Sequence, residues 1–275
     1  MKMDSNAHMT KSPFIPIPRV DVNRFESQRL VSLLDGIRFE LSKNDPEGEM
    51  DEVAWFIREY PRAYRYHLEC ADFRLESISL LYQELHRELA ARIGDDHSVI
   101  ELSQGEQRVR RIYWDFESFL AEIGIVLDLL ARIAGTAYRD EMPPNFNRFC
   151  RKQIPGDKIL LLFQAAQKEW VNRMKDYRDC FVHYTPVDTI LSIRMVRRKA
   201  GWETRCKIPS NPNEREILRF RFPLRVELLC YALSVRSRMR KLDRDIAAHI
   251  DKAYKSGLYP VRKHGLFSVG RRERN

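Results

Sequence analysis

The sequence predicts a mainly α protein, a helical bundle with a small β-hairpin or sheet set in before its last long helix. Three observations predict it. Glycine is scarce, 11 in 275 residues. Apolar residues recur at three- and four-residue spacing over several long stretches. One stretch, at about 189–222, changes to a period of two. An apolar share of 44% and a charged share of 32% allow a sizeable core beneath a heavily charged surface.

The elements follow in order. Residues 1–20 contain no apolar signal core and read as a flexible lead-in, and the bundle occupies 21–257. A first helix is expected from about Phe25 to Lys43, with Leu30, Leu33, Leu34, Ile37 and Leu41 on one face. Asn44-Asp45-Pro46 ends it. A second helical stretch runs from about Asp51 to Ile93 through Leu75, Ile78, Leu81, Leu85 and Leu89, and Pro61 either breaks it or starts its longer part. Its aromatic group Trp55, Phe56, Tyr60, Tyr64 and Tyr66 reads as core packing. A third helix, about Glu106 to Ala137, carries an apolar stripe wide enough to be central. The prolines at 143–144 open a linker, with a short helix near Asn147.

Asp157 is a plausible N-cap for the next helix, which runs to about Tyr184 before Thr185-Pro186. Leu191 to Val196 and Trp202 to Ile208 then alternate as two strands around Lys199-Ala200-Gly201, and Arg219 to Phe222 is expected as a third strand. A last helix extends from Pro223 to about Lys255. Residues 258–275 form a basic tail.

No run of 18 apolar residues occurs, so no membrane span is expected. Cys70, Cys150, Cys180, Cys206 and Cys230 are scattered and form no CxxC pair, which favours reduced thiols and a cytoplasmic location over a disulfide framework. There is no P-loop, GxGxxG, GxSxG or Glu-x-x-His pair, so no cofactor and no metal are expected. The net charge of +9 is unevenly divided. Residues 1–150 hold 19 Lys and Arg against 26 Asp and Glu, a net of −7, and residues 151–275 hold 29 against 13, a net of +16. A basic half suits a polyanion such as RNA; the competing reading is that the acidic half neutralises it within the fold or a dimer.

Within the basic half lies Arg178-Asp179-Cys180-Phe181-Val182-His183, late in a long amphipathic helix. An Arg can grip a phosphate through two parallel hydrogen bonds, and a His can exchange a proton near neutral pH. At about 100° per residue the two side chains lie about 140° apart, so a straight helix does not let them meet. A site using both needs a distorted helix end or a second copy of the helix, which a twofold homodimer supplies. The competing reading pairs Arg178 with a carboxylate and leaves His183 on the surface near the negative end of the helix.

This Arg-x4-His spacing, with a polar residue after the Arg, resembles the signature of the HEPN superfamily. The resemblance implies an all-α bundle and a metal-independent endoribonuclease, a hydrolase whose site forms at a homodimer interface. It implies toxin–antitoxin or phage-defence settings, with an antitoxin or defence-system partner. Arg178 would hold the scissile phosphate, His183 would be the general acid or base, and Asp179 would orient one of them. The alternative it implies is an inactive module that binds RNA or a protein. Separately, the hairpin gathers Arg194, Arg197, Arg198, Lys199, Arg205 and Lys207, with Trp202 near its tip. Cations beside an exposed aromatic suit single-stranded RNA; charges that guard an edge strand are the other explanation.

Overall fold

The protein is described by a computed structural model that covers residues 14–18, 20, 29–44, 52–93, 99–103, 106–138, 145–154, 156–184, 192–199, 201–223 and 226–256. It is mainly helical, 72% of those residues, with a three-stranded antiparallel sheet. Helix α1 spans Arg29–Asn44, and α2 spans Glu52–Ala91. Pro61 neither breaks nor starts α2, which runs through it. Strand β1, Val99–Ser103, is followed by α3, Gln107–Tyr138. Helix α2 and α3 form an antiparallel hairpin fastened by polar pairs, among them Ser77 Oγ to Asp115 Oδ2 at 2.6 Å and Arg108 Nη2 to Glu88 Oε2 at 2.6 Å.

The short helix α4, Phe146–Cys150, is capped by Asn145, whose side chain accepts from Arg148 N. Asp157 caps α5, Lys158–Ala166, by accepting from Leu160 N at 2.9 Å. The helix then widens into a π turn at Gln167–Val171, returns to α as α6, Asn172–Asp179, and widens again at Cys180–Tyr184. Throughout, Ile159, Phe163, Ala166, Trp170, Met174, Tyr177 and Phe181 stay buried, so both wide turns preserve one apolar stripe.

Strands β2, Ser192–Arg198, and β3, Gly201–Cys206, form the expected hairpin, and Gly201 takes φ 134° at its turn. The third strand is not Arg219–Phe222 but β1, which pairs with β2 in the register Glu101 to Arg194. The 219–222 backbone is used otherwise: Asn211 Oδ1 accepts from Arg221 N at 2.8 Å, and Ser210 N donates to Arg221 O at 2.7 Å. The last helix, α7, spans Leu228–Lys255, starting after Pro223 because Glu227 is its cap. The Glu227 carboxylate accepts from Leu229 N and Cys230 N and also from the buried Tyr82 hydroxyl.

One buried apolar cluster runs through α1, α2, α3, α5, α6, α7 and the inner face of the sheet. Of the aromatic group expected in it, Tyr64 is fully buried, whereas Tyr66 is 63% exposed and lies outside it. The side chains of Trp55 and Phe56, the prolines at 143–144 and the tail 258–275 lie outside the described residues. The N-terminal lead-in is partly docked: Ile15 N donates to Trp202 O at 2.8 Å, and Phe14 bridges Trp202 in parallel. None of the five cysteines is in a disulfide. No described helix is long and apolar enough to cross a membrane.

Candidate functional site

Arg178 is the penultimate residue of α6, on the edge of the buried stripe, where α6 passes α3. Its aliphatic stem is held there by position, and its guanidinium stays partly open to solvent. Asp179 accepts from it through a single oxygen, Oδ1, at 3.0 Å from Nε and 2.8 Å from Nη2. The Nη1 end of the fork is turned toward α3, 3.7 Å from where a Cβ on Gly124 would stand. Any longer side chain at 124 would compete with the guanidinium for that space. A guanidinium has five N–H donors, so the Asp179 contact leaves capacity for an anion.

His183 lies in the second π turn and is exposed, as is Val182 before it. A π turn bonds i to i+5 and turns about 80–90° per residue rather than about 100°. The winding between Arg178 and His183 therefore narrows their separation from about 140° to roughly 90°. The helix end is distorted at the place where a site using both residues needs it to be.

Around Arg178 is a second set of polar groups from α4, α5, α6 and α3. Lys175, one turn before Arg178, donates from Nζ to Asn147 Oδ1 at 2.5 Å and lies 5.2 Å from the Phe146 ring centroid. Gln167, in the first π turn, donates to the same Asn147 oxygen at 3.2 Å. Asp128 of α3 accepts from Phe146 N at 2.8 Å, fixing α4 beside the site. Burial holds the Lys175 ammonium below the usual lysine range, with Arg178 adding to it and Asp128 opposing. Burial and the neighbouring Asp179 raise the Asp176 carboxyl. The sequence reading missed Lys175, although its three-residue spacing from Arg178 was a usable signal; Gly124, Asp128 and Asn147 come from distant segments and had no local signal.

The hairpin does not form the expected cationic surface. Trp202 is only 4% exposed and belongs to the core, because Phe14 and Ile15 cover the edge of β3 at that residue. It cannot stack on a base. Glu101 of β1 pairs with Arg194 Nε at 2.9 Å and with Lys207 Nζ at 3.6 Å. Glu203 pairs with Arg205 Nη2 at 2.6 Å and with Arg198 Nε at 3.4 Å. Against the upward push of burial, the nearby Ser192, Arg194 and Lys207 side chains hold the Glu101 carboxyl below its usual value. Two glutamates thus tie four of the candidate cations into the sheet, and Arg197 and Lys199 are the exposed remainder. The structure does not bring these residues to the Arg178 side of the molecule as one site.

Between Arg178 and α2, the outward face of α3 is apolar and small. Trp114, Ser118, Ala121 and Ile125 follow one another at helical spacing, with Trp114 51% exposed. Val182 flanks this face on one side and Phe73 and Tyr66 on the other, each about half exposed or more. Its polar edge includes the pair His67 Nδ1 and Glu122 Oε2, 2.7 Å apart. No group of three or more His, Cys, Asp or Glu suited to a metal ion occurs among the described residues. Compared with protein-family models, curated proteins and solved structures, the chain matches none.

Proposed function

We propose that the protein is a metal-independent endoribonuclease of the HEPN kind that works as a homodimer. The observation that carries this reading is the π turn at Cys180–Tyr184, which swings an exposed His183 toward the side of a solvent-reachable Arg178. In this reading Arg178 holds the scissile phosphate and stabilises the charge that builds on its oxygens. The 2′-hydroxyl loses its proton and attacks phosphorus, the bond to the 5′-oxygen breaks, and that oxygen takes a proton. His183 of one copy serves one of these proton transfers and His183 of the other copy the second. Asp179 holds the Arg178 fork in place through Nε and Nη2.

The apolar face of α3 supports the dimer. Ser118 and Ala121 at its middle let two backbones approach closely, and Trp114 and Ile125 at its ends bury apolar area against a second copy. A toxin or phage-defence role, with an antitoxin or accessory partner, is part of the same proposal and follows from the motif alone.

The test is cleavage of labelled RNA in excess EDTA by wild type, Arg178→Ala and His183→Ala. Wild type is expected to cut, and each variant to lose on the order of 100-fold or more. Equal background from all three would sink the enzyme reading. The second reading is an inactive RNA- or protein-binding module. It is favoured by the direct pairing of Arg178 with its own neighbour Asp179, which partly neutralises the fork.

A further inference from the structure

We infer that Lys175 is a second phosphate-binding cation, placed one helical turn before Arg178 so that the two hold adjacent phosphates of one strand running along α6. The inference rests on the proposed RNA-binding site and adds to it the direction and register of the strand. It also needs no cleavage to be true.

Residues three apart on a helix are neighbours, with their Cβ atoms about 5–6 Å apart. Lys175 and Arg178 therefore present two positive groups side by side on the face of α6 that looks toward α3 and α4. The hydrogen-bond partner of Lys175 Nζ is a neutral amide oxygen, Asn147 Oδ1, and Gln167 already donates to that oxygen. An ammonium carries three donors, so this contact leaves two for an incoming anion. Asp128 faces it from α3 as a partial counter-charge, with one oxygen also accepting from Phe146 N. The ring of Phe146 beneath the ammonium fixes its height without neutralising it.

Asp179 holds Arg178 and Asp128 faces Lys175, so a phosphate that binds here shares with these carboxylates two cations one helical turn apart. Burial is the main cause of the lowered affinity of Lys175 for its proton; Asp128 opposes it, and Arg178 adds a smaller repulsion. The order along the helix, Lys175 then Arg178 then His183, also gives the strand a path: over α6 and out past the wide turn.

The test uses full-length protein and a short fluorescein-labelled oligoribonucleotide with 2′-O-methyl groups, which cannot be cut by attack of a 2′-hydroxyl. Binding is followed by anisotropy across a salt series for wild type, Lys175→Met, Lys175→Arg and Lys168→Met. Lys168 is an exposed cation of the first π turn and serves as the charge control. Lys175→Met is expected to weaken binding about 5- to 10-fold and to lower the log–log salt slope by about 0.7, the loss of one phosphate contact on a single strand. Lys175→Arg is expected to restore both, and Lys168→Met to change neither. Wild-type affinity and slope in Lys175→Met would overturn the inference. So would an equal loss in Lys168→Met, or no binding by wild type at low salt. If Lys175→Met melts early, Lys175→Gln, which keeps a donor for Asn147, replaces it. The nuclease reading fails on a different result, the absence of cutting dependent on Arg178 and His183, and that result leaves these affinities standing.

Discussion

Asp243 lies in the core between α7 and α2, where its Oδ1 accepts from the Tyr64 hydroxyl at 2.7 Å and its Oδ2 has no partner. Beside it, Arg236 and Asp72 form a buried ion pair across the same helices. Burial, opposed by the Tyr64 hydrogen bond and by Arg236, pushes the Asp243 carboxyl up to about 6. A carboxyl that titrates higher when folded binds its proton more tightly in the folded state. Its contribution is therefore greatest below about pH 4 and is lost as pH rises through about 6. Between pH 4 and 7, wild type is expected to lose roughly 2 kcal/mol of unfolding free energy relative to Asp243→Asn, measured by denaturant titration. Parallel pH profiles for the two would contradict this. At this scale the sequence singles out Arg178, Asp179 and His183 by residue type and spacing, and in the fold Arg178 and Asp179 bond each other while His183 is exposed. The burial of Trp202 was not legible, because the segment that covers it lies nearly 190 residues upstream.

Elements rich in short-range pattern were legible in the sequence, and elements completed by distant chain were not. The apolar stripes of α1, α3 and α7 announce helices with no help from elsewhere. The five residues Val-Ile-Glu-Leu-Ser of β1 have no clear alternation and become a strand only because β2, ninety residues on, pairs with them. The same logic governs Gly124. In the sequence it is an unexplained helix breaker, and in the fold it is the floor under the Arg178 guanidinium. Gly124→Ala adds a methyl at ordinary contact distance and removes backbone entropy, so it is expected to stabilise the protein by about 0.5–1 kcal/mol with RNA binding unchanged. Gly124→Met is expected to displace the guanidinium and weaken binding of the uncleavable oligoribonucleotide several-fold. Thermal melts and anisotropy check the pair together. A Met variant that binds as wild type would show that the close approach has no bearing on the site.

At the scale of the whole molecule, the acidic and basic halves are interleaved rather than separated. Glu101 of the acidic half neutralises Arg194 and Lys207 of the basic half, and Asp72 neutralises Arg236. The +16 of the second half is thus partly consumed inside the fold, and the sheet is a poorer RNA surface than its composition suggests. Among the described residues, the outward face of α3 is one of the apolar surfaces left open. Ala121 is exposed at its centre, so Ala121→Arg is expected to leave the monomer folded. It is also expected to shift the protein to a single-chain mass by light scattering, with RNA cleavage falling in step. A variant that stays dimeric, or a wild type that is already monomeric, would refute a dimer built on this face.

The two wide turns of the α5–α6 helix bear on how such a chain can change over generations. A π turn holds one residue more than an α turn, so each accommodates an extra residue without disturbing the buried stripe. The placement of His183 relative to Arg178 depends on the winding of the turn as well as on the count of residues between them. A residue gained or lost in this helix would therefore change its pitch before it changed which side chains it buries.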